Sequence, residues 1–485
     1  MGRQVNDGVP FTREIVYAAR DTTLPLRPWY KRIFSNRRQE FVGLDIGSHT
    51  VKIVHVCRTR NPSQPWAVTR FATLALDQGI IENGEIVEFD RVLEAVKKLV
   101  DMTGTHGLEC AIGLPPWPTI VKKVTVPKMD KDQLKESLHW EAEQYIPFDI
   151  REVNVDADIV EPNSLPEGSM NICLVAAKKG IVVNCLNLAT AAGLRPITAE
   201  PCEITLANLV KIAEGLNPQT DGKSVAIIDI GAESTKMSIL FNGSLVFSRD
   251  INTGGNAVNT NLMSHFDISW EEAEKWKING APEEKRAEVA EETARSYNIV
   301  AIEIQKSLDF FLATDIHHSE FKSILVTGGV SNDPAFLLAL ALRLKETITP
   351  FNLFTERLGE QNTHLLSTAL GLALRGLDER KDLIRVNLSG FPLKKANSSK
   401  RSKDPDKEKF DERKWKKRQV VAKAFLLIFG VMLMGLWLII GFFVNSKSIY
   451  NYLAGYEPTQ CRCVCPIDSS SIGNKVEIPG LAHKY

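Results

Sequence analysis

The chain has 485 residues, with 59 Lys and Arg balanced by 59 Asp and Glu, so its formal net charge is zero. That balance gives no reason to expect a nucleic-acid partner, and the sequence has no basic face interleaved with aromatics. The length exceeds the ~250–300 residues that one core usually serves, so more than one domain is expected.

Residues 1–40 read as an N-terminal extension without a signal-peptide run, and its "RPWYKRIFSNRR" stretch as an irregular basic and aromatic lead-in. The next segment, "FVGLDIGSHTVKIVHV" from Phe41 to Val56, predicts an apolar strand, a bend and a second strand. The bend holds Asp45, Gly47, Ser48 and Thr50, with Lys52 beginning the return. Glycine lets backbone N–H groups approach an anion, and such a nest suits phosphate. The pattern recurs at "VAIIDIGAESTKMSIL", where Asp229, Gly231, Ala232, Ser234, Thr235 and Lys236 occupy the equivalent places. Two such hairpins suggest an internal duplication. Facing each other they could hold a polyphosphate, with Asp45 and Asp229 reaching Mg2+ through water. "INTGGNAV" places Gly254 and Gly255 before a helix, a phosphate-friendly start. "ILVTGGVSNDP" runs a strand into Gly328, Gly329 and Ser331, and Pro334 opens an apolar helix.

Hairpin, hairpin and Gly-Gly strand end, in that order, resemble the actin and sugar-kinase ATPase superfamily. The resemblance implies two RNase H-like halves binding ATP with Mg2+. It sets Gly47, Ser48 and Thr50 on one side of the phosphates and Gly231, Ala232 and Thr235 on the other. Gly254 and Gly255 would approach the phosphate end, while Gly328, Gly329 and Ser331 border the adenosine. "AIEIQKSLDFF" resembles the helix that brings Glu303 and Lys306 to the ribose and base, and "TALGLALRGL" the hinge helix. Within the superfamily, "WEAEQYIPFDI" and its flanks from Val126 to Asp156 are similar to the PilM family of type IV pilus assembly, relatives of FtsA. "LVAAKKGIVVNCLNLATAAGLRPITAEPCE", "EEAEKWK" and "GGVSNDP" extend that similarity. It implies an FtsA-type subdomain inserted at 113–179 within an actin-like domain at 41–377. A metabolite kinase would need a base such as Asp149, Asp156 or Asp158, and these fall in that inserted segment. For hydrolysis Asp229 is the catalytic candidate, and slow turnover or nucleotide sensing is expected.

Beyond the domain, residues 378–423 read as a PilN-like peptide and basic linker. Val386, Asn387 and Leu388 resemble the PilN peptide that docks on PilM proteins, with Ser389-Gly390 in place of Leu-Pro, so a PilM–PilN fusion is expected. Ala424–Val444 carries no charge, and at ~1.5 Å per residue it matches a hydrocarbon core of ~30 Å. Lys414, Lys416, Lys417, Arg418 and Lys423 precede it, so the bulk is expected on the cytoplasmic side of a bacterial inner membrane. Residues 445–485 are then a short periplasmic tail, whose Cys461, Cys463 and Cys465 have no assigned role. Cys57, Cys110, Cys173, Cys185 and Cys202 read as core residues of a reducing compartment. The resemblance implies a scaffold joining a pilus motor to PilN/PilO-type alignment proteins. A GspL-like secretion scaffold is the runner-up.

Overall fold

The computed structural model describes residues 15–18 and 39–390, less 62–64, 116, 161–167, 214–221, 316–319, 352–362, 379 and 381. All belong to one unit, Met1–Ala396. Among them no helix is long and apolar enough to cross a membrane. The expected span Ala424–Val444, the linker from 391, the cysteine-bearing tail and most of the N-terminal extension lie outside the described residues.

The first half is a six-stranded sheet in the order β1-β4-β3-β2-β7-β11. Strands β2 (Glu40–Ile46), β3 (Thr50–Arg58) and β4 (Trp66–Ala75) form an antiparallel meander, and β1 (Ile15–Ala18) pairs with β4 at its edge. A short hairpin, β5 (Ile81–Glu82) and β6 (Glu85–Ile86), leads into α1 (Phe89–Thr103). Apolar residues of α1 recur at helical spacing, so Val92, Val96, Leu99 and Val100 are buried together. The parallel strands β7 (Glu109–Leu114) and β11 (Arg195–Pro201) complete the sheet, and α4 (Cys202–Ala213) follows directly.

Between β7 and β11 lies a separate three-stranded sheet, β8 (Thr119–Pro127), β10 (Ser169–Lys178) and β9 (Val153–Val160). Helix α2 (Lys131–Glu143) covers it, with Leu134, Leu138 and Ala142 meeting Ile172, Leu174 and Ala176 in a core of their own. Asp130 caps α2 in a full capping box with Gln133, which fixes where the helix begins. Helix α3 (Lys179–Ala191) then returns the chain to β11.

The second half repeats the plan in a sheet ordered β14-β13-β12-β15-β16, from β12 (Ser224–Ile230), β13 (Thr235–Phe241), β14 (Ser244–Ile251), β15 (Phe321–Thr327) and β16 (Ile348–Pro350). Its helices are α5 (Asn256–Phe266), α6 (Trp270–Asn279), α7 (Arg286–Thr314) and α8 (Pro334–Ala341). The last helix, α9 (Thr363–Leu377), follows the second half in sequence but packs on β2, β3, β7 and α4 of the first. Small residues make that crossing possible. A Cβ on Gly43 would lie 1.9 Å from the Ala369 carbonyl oxygen, so any side chain there pushes α9 off the sheet.

Candidate functional site

The hairpins β2–β3 and β12–β13 share one register. Asp45 is the cross-strand partner of Lys52, and Asp229 that of Lys236. The Gly47 N–H donates to the Thr50 carbonyl at 3.0 Å, and Gly231 N–H to Ser234 at 2.9 Å, so each glycine closes its turn identically. Ser48 and Ala232 take matching places inside the turns.

Their charges differ. Lys52 binds Asp45 at 2.9 Å. Lys236 is buried and lies between β12 and β14, in register with Asp229 and Asp250. Burial opposes its charge, but the carboxylates of Glu203, Asp229 and Asp250 hold its pKa above the ordinary lysine value. Cys202, also adjacent, is kept a neutral thiol by burial. Asp229 is pushed above the usual carboxylate range by burial; Lys236 opposes this and Asp45 adds to it. The two aspartates, from different halves, therefore act on each other. A divalent cation between them would relieve that repulsion.

β15 ends against the second hairpin. Gly328 has φ +95°, and a Cβ there would meet the Ile230 carbonyl at 2.3 Å and Asp229 Oδ1 at 2.7 Å. Gly329 by contrast faces open space. Ser331 is buried and donates its hydroxyl to Gly328 O at 2.8 Å, holding the bend. Asp333 caps α8 through the Ala335 N–H and accepts from the Tyr297 hydroxyl at 2.8 Å. Tyr297 on α7 thus reaches this segment. Glu303 and Lys306 pair with each other at 2.7 Å, about 9 Å or more further along the same helix.

Gly254, Gly255 and Thr235 sit against the second hairpin. The Gly255 N–H donates to Gly231 O at 2.9 Å, and Thr235 gives its hydroxyl to Thr253 O at 2.7 Å. A Cβ on Gly254 would fall 2.5 Å from Gly231 O. These three brace the turn; the Gly255 amide and the Thr235 hydroxyl are already engaged and are not free phosphate donors.

Four residues not singled out in the sequence join the halves across the hairpin tips. His49 Nε2 lies 3.5 Å from Glu274 Oε1 on α6, and the Asn83 N–H donates to Glu233 Oε2 at 3.2 Å. Burial lowers the pKa of His49. Burial pushes Glu274 up, but Lys277, Asn259 and His49 more than offset this and leave it low. The one sequence signal for His49 and Glu233 is their position within the paired turns.

A second feature is a filled groove. The segment Ile384–Ser389 lies between β9 of the inserted sheet and β11, the edge strand of the first half. The Leu388 N–H donates to Ala199 O at 2.8 Å. The Asn387 side chain accepts from the Ala199 N–H at 3.0 Å and donates to Ile197 O at 3.1 Å. From the other wall, Asp156 accepts the Asn387 N–H at 2.7 Å, Asp158 the Arg385 N–H at 2.8 Å, and Asn154 donates to Leu388 O at 2.8 Å. Val386 and Leu388 are fully buried. Arg375 of α9 bonds buried Glu200 at 2.8 Å and reaches Val386 O at 3.2 Å, so the last helix also grips the segment. Asp156 and Asp158 are thus engaged in binding this strand-like segment. Asp149 caps the turn before β9 and pairs with Arg151.

Two duplicated halves, each with an Asp-Ile-Gly hairpin, and a helix shared between them define an actin-like ATPase fold. The match to the type IV pilus assembly protein PilM family runs over residues 43–377, and the chain belongs to that family. A solved PilM–PilN type IV pilus biogenesis complex aligns at 24% identity and TM-score 0.60, covering 70% of this chain and 98% of that one. The cell division protein FtsA of Bacillus subtilis (strain 168) is 24% identical over 270 residues, 50% of this chain. This chain spans 58% of the length of that relative. The ethanolamine utilization protein EutJ from Carboxydothermus hydrogenoformans aligns at 16% identity and TM-score 0.43, over 72% of this chain and 91% of its own.

Proposed function

We propose that this protein is an ATP-binding, membrane-anchored scaffold of the type IV pilus inner-membrane platform, one that carries its own PilN-like peptide. The observation that carries the reading is the pair of like-registered Asp-Ile-Gly hairpins, bridged between the halves at their tips by His49 with Glu274 and by the Asn83 N–H with Glu233. Magnesium suits Asp45 and Asp229 because it binds through few carboxylates and keeps its waters. Gly47, Ser48 and Gly231 would line the phosphates, and the open side of Gly329 leaves room for the nucleoside. Asp229 is the candidate to orient a water for slow hydrolysis.

The filled groove supports the fusion. A peptide joined to its receptor by a short linker experiences an effective concentration in the mM range. Here residues 378–383 connect α9 to the docked segment. The uncharged stretch Ala424–Val444 would then fix the domain to the inner membrane from the cytoplasmic side. PilN/PilO-type proteins and motor components are the partners this reading requires.

The deciding experiment is calorimetric Mg·ATP binding by the full-length chain in detergent. Asp229→Ala and Gly329→Val should each weaken binding about tenfold or more, a loss of about 1.4 kcal/mol. Gly329→Val is informative because its side chain has space, so the fold is unaffected. Undiminished affinity in both variants would sink the site. For the groove, a labelled peptide spanning Arg385 to Lys395 should bind a Val386→Asp/Leu388→Asp double variant but not the native chain. Equal binding to both would remove the in-cis assignment.

A further inference from the structure

The end of the first hairpin remote from its turn carries three donor groups of different chemistry. Glu40 is the cross-strand partner of Cys57, and His55 lies two residues before Cys57, so strand alternation puts all three on one face. That face is opposite α9, because Phe41 and Gly43 point at Gly376 and Ala369. Their carboxylate, imidazole and thiol atoms lie within 4.8 Å of one another. Glu40 Oε2 is 3.3 Å from His55 Nε2, and Cys57 Sγ is 3.9 Å from the same nitrogen.

The imidazole is oriented from behind. The β3–β4 register shifts at His55/Val56, which pair with Arg70 and Val68, so Thr69 is the extra residue of a β-bulge. Its Oγ1 sits 2.7 Å from His55 Nδ1 and donates to the His55 carbonyl at 3.2 Å. The Thr69 hydroxyl thus holds the Nδ1 edge of the ring in place. The Nε2 edge of the ring is then turned toward the Glu40 carboxylate and the Cys57 thiol.

We propose that Glu40, His55 and Cys57 bind a borderline-soft divalent cation, zinc being the best match, with Thr69 as the outer partner that fixes the histidine. Ligand atoms ~2.0–2.3 Å from one tetrahedral ion lie about 3.3–3.6 Å apart, close to the spacing seen here. Cys57 releases its thiol proton to solvent as the thiolate binds, and water completes the fourth position. The ion would pin the start of β2 to β3, at the opposite end of the hairpin from the turn.

The test uses full-length protein in detergent with Cys461, Cys463 and Cys465 changed to Ser, so that the tail cannot compete for metal. Zinc is titrated against a chromophoric chelator, and cobalt is used to read thiolate charge-transfer absorption. The expected result is one equivalent of zinc, a cobalt–thiolate band, and a thermal midpoint that rises with zinc. Cys57→Ser should abolish the band, and Thr69→Val should weaken zinc about 10–100-fold while leaving the unfolding midpoint without metal unchanged. His55→Gln gives a second reading should the serine variant fail to fold. Absence of stoichiometric zinc in the tail-substituted protein overturns the proposal. So does unchanged affinity in both Cys57→Ser and His55→Gln.

Discussion

The two hairpins carry nearly the same residues in the same register, yet they are different electrostatic objects. The first holds a single local ion pair, Asp45 with Lys52, each side chain 12% exposed. The second buries Lys236 among Asp229, Asp250 and Glu203, the last contributed by α4 of the other half. It therefore has an excess of carboxylate, and one buried oxygen each of Glu203 and Asp250 lacks a hydrogen-bond partner. A duplicated motif has been kept in shape and divided in role. One copy carries a local ion pair of its own, and the other shares a buried charge cluster with the opposite half.

Removing each lysine is the strongest way to break this comparison. Lys236→Met should cost about 3–5 kcal/mol, because it leaves buried carboxylates without their cation. Lys52→Met should cost about 1 kcal/mol, since its pair is partly hydrated and local. Urea unfolding of both variants measures the difference, and equal losses would show that the second lysine has no special role. The glycines give a smaller contrast. Gly254→Val drives a side chain into the backbone of the second turn and should cost about 1–3 kcal/mol in the same assay. Gly47→Ala places its Cβ 3.0 Å from Thr50 O and 3.6 Å from the flexible Lys52 Nζ, and should cost less.

The excess of carboxylate also predicts a pH response. Asp250 is raised from 3.8 to about 7, by burial first and then by Glu203, with Lys236 opposing. A carboxyl with a raised folded-state pKa holds its proton more tightly when folded. Stability is therefore highest below the unfolded value and declines as pH rises from about 4 toward 7. Asp250→Asn should flatten that decline in thermal melts taken across the window. A decline that persists unchanged in Asp250→Asn would assign it to another group.

How much of this was legible in the sequence depended on range. The hairpins were readable because apolar strands, Asp-Ile-Gly and a returning lysine are local patterns, and their recurrence doubled the signal. Val386, Asn387 and Leu388 stood out in the sequence as a three-residue pattern, but the groove walls they pack against had no local signal. Asp156 and Asp158 read as candidate bases, and only the segment's seat between β9 and β11 shows that they accept its backbone N–H groups. Gly254, Gly255 and Thr235 looked like phosphate contacts because a Gly-Gly before a helix usually offers free amides. Here the neighbouring turn's carbonyls and Thr253 O take up the Gly255 amide and the Thr235 hydroxyl, a tertiary fact with no local trace. Cys57 read as a core thiol like the others, and the Glu40 and His55 beside it emerge only from strand pairing.

The smallest expected effect lies at the hairpin tips, where the comparison is sharpest. Each tip reaches across to the opposite half, His49 to Glu274 and Glu233 to the Asn83 N–H. Either contact alone should contribute no more than about 1 kcal/mol, because both are partly open to water. Their arrangement raises a question that single substitutions leave open, namely whether the tips act as two separate contacts or as one closure. In the first case the stability losses of His49→Ala and Glu233→Ala add to within about 0.3–0.5 kcal/mol in the double variant. In the second, the first substitution already releases the gap between the halves, and the second then costs almost nothing. Burial lowers the pKa of His49 and so disfavours its charged form, and salt should therefore weaken the His49 contact little. A strongly sub-additive cycle would mean that the two unlike hairpins, so different at their lysines, have been recoupled at their tips.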